Sequence, residues 1–243
     1  GQNVNSYGRD LGVDGRRRPV FADLLRRVGE VPGIRRVRFT SPHPKDMRED
    51  VARAMAETPA VCEQLHLPLQ SGSARVLRAM QRGYTPRRFL DRLAMMRAAV
   101  PGLAVTTDVI VGFPGETEAD FAATLAVMEE AAFDGAYMFV YSPRPGTPAA
   151  AMEGQVAPAA AAERFARLAD LQQRLSLASN ERVVGTTVEV LTEGPSRKDP
   201  AMATARTRTG KVVHVPGEFP PGTFLQARLE RAAPSHLLGT VST

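Results

Sequence analysis

The constraint that weighs most on this chain is its alternation of strand-like and helix-like segments over residues 1–182. A helix-patterned stretch, VFADLLRRVG, is followed by the strand-like GIRRVRFT and by a helical PKDMREDVARAMAET. CEQLHLPL then leads into SARVLRAMQRG, where Val76, Leu77 and Met80 share one helical face and Gly83 is expected to supply the stop. Thr85 and Pro86 read as the N-cap and first position of PRRFLDRLAMMRAAV. LAVTTDVIVG follows as a strand. Thr117 and Asp120 then form a capping box ahead of a helix whose buried stripe is read as Phe121, Leu125, Met128 and Ala132. GAYMFVYS is the next strand, and a long helix runs through AERFARLADLQQRLSLASNERVVG. Short links between alternating elements imply parallel strands joined by right-handed crossovers. Four such strands, with a fifth expected just ahead of Gly1, are too few for a closed eight-stranded barrel, so a partial (βα) barrel or open curved sheet is predicted.

From residue 183 to 243 the pattern changes. TTVEVLTEG, AMATARTR, KVVHVPG, TFLQARLERA and LLGTVST are short, β-rich and separated by turn residues, which predicts a second domain: a five-stranded all-β barrel.

Each presumed parallel strand is followed by a polar loop marked by Gly or Pro: SPHP, QSGS, GFPGE and PRPGT. Parallel α/β folds place their ligand sites on this C-terminal rim. The opening GQNVNSYG has the same character, and it suggests a loop whose preceding strand belongs to a longer chain. Asp108 stands out, because a carboxylate on an otherwise apolar strand must be paired or hydrogen-bonded. Anchoring of backbone and contact with a ligand explain it equally well. In GFPGE, Gly112 and Gly115 permit close backbone approach and Glu116 offers an acceptor, but the lysine and spacing of a phosphate loop are absent. His43 and His66 read as structural or substrate-facing rather than as metal ligands.

Composition narrows the function classes. No apolar run approaches the ~20 residues needed to span a bilayer. A single cysteine, Cys62, excludes an internal disulfide framework and a thiolate cluster of the chain's own, and makes the cytoplasm the expected compartment. A net charge of +5 favours a polyanionic partner. Arg75, Arg78, Arg82, Arg87, Arg88, Arg92 and Arg97 read first as a solvated helical face. Arg197, Lys198, Arg206, Arg208 and Lys211 crowd the β-rich unit and are the candidate RNA-binding residues, although only Phe219 and Phe224 are there to stack on bases.

GQNVNSYG, HLPLQSGS, TTDVIVGFPGET and YSPRPGTPAAAM, in this order, resemble the radical S-adenosylmethionine methylthiotransferases, and most closely the bacterial branch that adds a methylthio group to isopentenyladenosine beside the tRNA anticodon. EGPSRKDPAMATARTRTGKVVHV resembles the start of that family's RNA-binding TRAM barrel, and the likeness extends over essentially all 243 residues. The resemblance implies a partial barrel that binds S-adenosylmethionine at its C-terminal rim. It puts Gln2 and Asn3 near the methionine moiety, Gln70 and Ser71 near the ribose, and Asp108, Gly112 and Glu116 beside the adenine and reaction centre. It further implies two [4Fe–4S] clusters, an electron donor such as flavodoxin or ferredoxin, a tRNA anticodon stem-loop as partner, and a monomer. The cluster-binding cysteines of that family have no counterpart in this sequence, so the clusters would be ligated outside it and the chain alone is expected to be inactive. A ribosomal-protein or threonylcarbamoyl-adenosine methylthiotransferase, and a non-catalytic RNA-binding relic, are the alternatives. A Schiff-base lyase is disfavoured because Lys45 is the rim's lone lysine.

Overall fold

A computed structural model describes residues 3–10 and 18–242. Gln2, a candidate cofactor residue, lies outside the described residues. The chain divides into two compact units, Gly1–Gln172 and Gln173–Thr243.

The first unit carries helices α1 (Phe21–Gly29), α2 (Glu49–Glu57), α3 (Ala74–Ala79), α4 (Pro86–Ala99) and α5 (Glu118–Ala131) around strands β1 (Gln64–His66), β2 (Ala104–Val111) and β3 (Gly135–Val140). The strands form a parallel sheet in the order β1-β2-β3, with Leu65 opposite Val105 and Asp108 opposite Tyr137. Strand β2 is central. Val105, Thr107, Val109 and Val111 are buried on one face, while Thr106, Asp108 and Ile110 lie half-buried on the other.

The capping chemistry forms as the sequence predicts. Thr85 accepts from Arg88 N–H with Pro86 at the first helical position, and Thr117 and Asp120 complete a reciprocal capping box at α5. Three expectations are corrected. Residues 33–40 form no strand; they contribute a single parallel bridge, Val37 to Val61. The partner segment bends immediately afterwards, where Gln64 N–H donates to the Cys62 carbonyl, and this cuts the ladder before a second bridge. The turn after α3 is made by Gln81, which takes the left-handed φ of 58°, rather than by Gly83. The buried stripe of α5 is Phe121, Thr124, Val127, Met128 and Ala131, turned slightly from the predicted one.

The second unit holds the five expected strands: β4 (Thr187–Pro195), β5 (Met202–Thr207), β6 (Val212–Pro216), β7 (Phe224–Ala232) and β8 (Leu237–Val241). They close into a barrel in the order β4-β5-β6-β8-β7. Closure depends on the parallel β6–β8 pairing, Val213 to Leu237 and His214 to Leu238. Strand alternation points Val190, Ala203, Ala205, Val213, Val215, Ala227, Leu229 and Leu237 inward as the core. Helix α6 (Pro158–Glu181) spans the division between the units, because its last turn is bonded to the barrel. Asn180 Nδ2 donates to the Ala233 carbonyl at 2.7 Å, and Lys211 Nζ reaches Ser179 Oγ at 2.7 Å and Asn180 Oδ1 at 3.0 Å.

Gly239 sits where β8 presses against β7. A Cβ there would lie 2.6 Å from the Arg228 carbonyl oxygen, a backbone atom that cannot swing aside. Gly239→Ala is expected to destabilise the barrel by about 1–3 kcal/mol, the usual cost of overpacking. The measurement is urea unfolding with amide exchange along β7. Unchanged stability with unchanged exchange would show that the two strands can part freely.

Candidate functional site

The loops that leave β1 and β2 are fastened to one another. Beyond β1 the chain keeps pairing for one more step: Gln70 N–H donates to the Asp108 carbonyl at 2.7 Å and Ile110 N–H to the Gln70 carbonyl at 2.9 Å. Gln70 holds the left-handed φ of 68°. Ser71 is fully buried, within 3.4 Å of Thr124 Oγ1. Gly72 donates its N–H to the same Thr124 hydroxyl at 2.9 Å, and a Cβ at this position would meet Ala123 O and Thr124 Cα at 2.5 Å. Only glycine lets the loop lie this close to α5.

Asp120 joins the two loops. It accepts from Ser73 Oγ at 2.6 Å, from Thr117 N–H at 2.9 Å and Thr117 Oγ1 at 2.6 Å, and it pairs with Arg75, whose guanidinium also donates to the Gly115 carbonyl at 2.6 Å. Burial works against the charge, but the hydrogen bonds from Arg75, Ser73 and Thr117 outweigh it and hold the carboxyl well below the usual carboxylate range.

Glu116 is turned inward, with a side chain only 1% exposed. Its Oε2 accepts from Gly112 N–H at 2.6 Å and from Arg164 Nη1 at 3.0 Å. Burial raises its pKa, and the bonds from Gly112 and Arg164 oppose the rise. Gly112 takes a φ of 73°, and a Cβ there would sit 2.9 Å from Ala161 Cβ. Glu116, Gly112 and Arg164 thus form one buried brace that fixes the loop after β2. Arg164 was not legible in the sequence, where it is one of several arginines on a helix.

The opening loop is held by a second carboxylate that the sequence did not flag. Asp46 accepts from Asn3 Nδ2 at 2.8 Å and from Arg9 Nη2 at 3.1 Å. Burial opposes its ionisation, yet the Asn3 amide, Lys45 and Arg9 together keep its pKa below the usual value. Asn5 and His43 exchange two hydrogen bonds, His43 N–H to Asn5 Oδ1 at 2.8 Å and Asn5 Nδ2 to the His43 carbonyl at 3.0 Å. The His43 ring meets Tyr84 edge-on at 5.6 Å, and the Tyr84 hydroxyl donates to the Pro68 and Leu69 carbonyls. Burial pushes that phenol up to about 12, so it remains a donor. The opening loop, the 41–46 loop and the loop after β1 are therefore one connected rim. Asn3 Oδ1 is buried on it without a hydrogen-bond partner among the described residues.

Asp108 finds the partner its position demands on the open face of the sheet. Its Oδ2 lies 3.3 Å from His66 Nε2, and His66 Nδ1 lies 3.0 Å from Thr106 Oγ1. Tyr137 stands edge-on to the imidazole at 5.8 Å. Tyr137 and Phe139 are 63% and 52% exposed beside it, aligned with Asp108 and Ile110 by the β2–β3 register. This face can present a fixed carboxylate, an imidazole and two aromatic rings to a planar polar ligand.

On the barrel, the structure gathers Arg197, Lys198 and Arg206 at one open cleft of about 790 Å³. Arg197 and Lys198 are exposed, whereas Arg206 is engaged by Glu193 through Nε–Oε1 at 2.7 Å and Nη2–Oε2 at 3.2 Å. Arg208 and Lys211 do not line the cleft; Lys211 is committed to the end of α6.

Residues 11–128 match the Radical SAM superfamily and residues 181–242 match the TRAM domain. The chain therefore carries a Radical SAM domain and a TRAM domain. Over 98% of its length it is 54% identical to the tRNA-2-methylthio-N(6)-dimethylallyladenosine synthase of Parafrankia sp. and 54% identical to that of Frankia alni, of which it covers 49% and 48%. The like-named protein of Saccharopolyspora erythraea is 51% identical over the same share of this chain, which covers 50% of it. The chain thus spans about half the length of the curated relatives it matches.

The Radical SAM match implies S-adenosylmethionine and a [4Fe–4S] cluster. The donor set here does not fit a cluster: Cys62 is the sequence's one cysteine and is buried, and no group of three His, Cys, Asp or Glu suited to a metal occurs among the described residues. The rim does suit a nucleoside-bearing ligand, through the Asp108–His66 pair and the unfilled Asn3 acceptor.

Asp120 supplies a test of how the rim is held. A carboxyl with a lowered folded pKa contributes stability that is complete above its unfolded pKa of about 3.9 and is lost as the pH falls through the folded value. Thermal melts of wild type and Asp120→Asn are expected to differ by a constant gap above about pH 5 that narrows below about pH 4. A gap that persists into acid would show that the charge is not what ties the loops.

Proposed function

We propose that this chain is the C-terminal portion of a Radical SAM methylthiotransferase that places a methylthio group on C2 of isopentenyladenosine beside the tRNA anticodon. The observation that carries the reading is the Asp108–His66 pair on the open sheet face, next to the rim loops of a Radical SAM domain whose relatives bear that enzyme name along 98% of this chain. Residues 1–182 serve as the catalytic barrel's portion and residues 183–243 as the RNA-binding unit.

S-adenosylmethionine, when bound, supplies hydrogen-abstracting radical chemistry and the methyl group. The residues here bind and orient. Asp108, steered by His66, accepts a hydrogen bond from an amine or hydroxyl of the nucleoside. Asn3 offers its unfilled Oδ1 to the methionine amine, and Gln70, Ser71, Gly112 and Glu116 hold the loops that frame the pocket through their backbone and buried bonds. Gln2, the other candidate in this motif, precedes Asn3 in the sequence. Two [4Fe–4S] clusters would be ligated by cysteines outside this chain and reduced by a flavodoxin- or ferredoxin-type donor. The protein would work as a monomer in the cytoplasm. Among the described residues no helix is long and apolar enough to cross a membrane.

In the complete, iron-reconstituted protein, Asp108→Ala is expected to weaken S-adenosylmethionine binding about 10–100-fold, the range for losing a hydrogen bond to a charged group. Circular dichroism should show the variant still folded. Nucleoside mass spectrometry should find the methylthio group on isopentenyladenosine. Undiminished affinity would remove Asp108 from the site, and a methylthio group found only on a ribosomal protein or on threonylcarbamoyl-adenosine would overturn the substrate assignment.

A further inference from the structure

The alternation that buries Ala203, Ala205, Val213 and Leu237 inside the barrel turns Thr204, His214 and Leu238 outward on strands β5, β6 and β8. The register places Thr204 and Leu238 on either side of His214, which makes His214 the centre of the cleft floor. His236, one residue ahead of β8, brings its ring within 5.1 Å of the His214 ring, at 62° between planes. The two rings are held by local bonds, His214 Nδ1 to Thr204 Oγ1 at 3.3 Å and His236 Nδ1 to Ser235 Oγ at 3.1 Å. Burial, then His236 and Lys198, lower the His214 pKa, so near neutral pH this ring is a flat π surface rather than a cation.

Cations stand beside these rings on a fixed loop. Ser196 N–H donates to the Met202 carbonyl at 2.8 Å, and Met202 N–H to the Asp199 carbonyl at 3.0 Å. Asp199 Oδ1 is taken up by Ala201 N–H at 3.0 Å. The loop therefore presents Arg197 and Lys198 outward along the cleft. Of the acidic groups at the cleft, Glu193 is neutralised by its two-bonded pairing with Arg206, and Asp199 is the other. The cleft volume, about 790 Å³, falls in the range of small-ligand sites.

We propose that this cleft takes one unpaired nucleotide of RNA, with its base stacked on the face of one ring of the edge-to-face His214–His236 pair and its phosphate between Arg197 and Lys198. The proposal rests on the RNA-binding reading of this unit and says what part of the RNA it grips. A base inside a duplex has both faces covered by its neighbours. Only a splayed base can reach a ring pair recessed among strands. Aromatic stacking of this kind tolerates any base, so the cleft selects for single-stranded character rather than for sequence.

The test uses the whole 243-residue chain, with fluorescence anisotropy of two labelled probes, an RNA hairpin with an unpaired loop and a fully paired RNA duplex of equal charge. The hairpin is expected to bind more tightly than the duplex. The His214→Ala/His236→Ala double variant should lose about 5–100-fold on the hairpin with an unchanged salt slope. Arg197→Ala/Lys198→Ala should instead reduce the slope of log affinity against log salt by about 1–2. His214→Phe/His236→Phe, which keeps two stacking rings, should restore hairpin binding and guards against a folding defect in the alanine pair. Tight hairpin binding that both histidine variants leave unchanged, or equal affinity for hairpin and duplex, overturns the nucleotide cleft and leaves RNA binding standing. Failure of the folded wild-type chain to bind either RNA at about 50 mM salt overturns the RNA-binding reading itself.

Discussion

The first unit of this chain is organised around one carboxylate. Asp120 closes the capping box of α5 through Oδ2 and also takes hydrogen bonds from Ser73, the N-cap of α3, and from Arg75 in its first turn. A helix start is a natural place for such a joint, since its free N–H groups and dipole already favour negative charge. Once Asp120 is fixed, α3 is capped by a serine that cannot wander, and Arg75 is drawn across to the Gly115 carbonyl. Two loops that would each be mobile alone become one rigid rim.

Rigidity on the inner side of that rim has a cost in buried polarity, and the chain meets it with pairing. Glu116 and Arg164 are both almost fully buried, and removing either would strand the other's charge in a dry setting. Their shared bonds to the loop backbone turn this hazard into a clamp. On the opposite face the polarity is left accessible: His66, Asp108 and Tyr137 are arranged but not sealed. The division suits a binding face, with the stiff, satisfied groups behind and the available ones in front.

The barrel solves a different problem with smaller means. Its core is built largely of alanine and valine, so few bulky side chains fill it and closure depends on strands lying close together. Gly239 allows β8 to approach β7, and the single parallel pairing of β6 with β8 removes the open edge. Since the interior uses every inward position for packing, recognition is confined to outward positions and connecting loops. That is where His214, His236, Arg197 and Lys198 are found.

Much of this was legible in the linear sequence. Period-two and period-3.6 patterns marked β2, β3, the five barrel strands and the helices, and the Thr85 and Thr117 caps were readable because capping is a local interaction among neighbouring residues. The ordered motifs GQNVNSYG, HLPLQSGS and TTDVIVGFPGET pointed to the family that the relatives bear out. The strand expected at 33–40 failed because strand pairing depends on a distant partner, which here bends away at Cys62. Asp46, Arg164 and the joining role of Asp120 were hidden for the same reason, as their partners lie dozens of residues off. The basic residues of the barrel could be counted but not sorted. Only the fold sent Lys211 to the end of α6, bound Arg206 to Glu193 and left Arg197 and Lys198 outward. A search for stacking side chains stopped at Phe219 and Phe224, because nothing in the sequence says that two histidines 22 positions apart share one patch. The sequence by itself determined which segments are strands and helices and which chemistry is available. The tertiary structure decided which charges are spent on holding the fold and which remain for a ligand, because long-range pairing is set by where the chain meets itself in space.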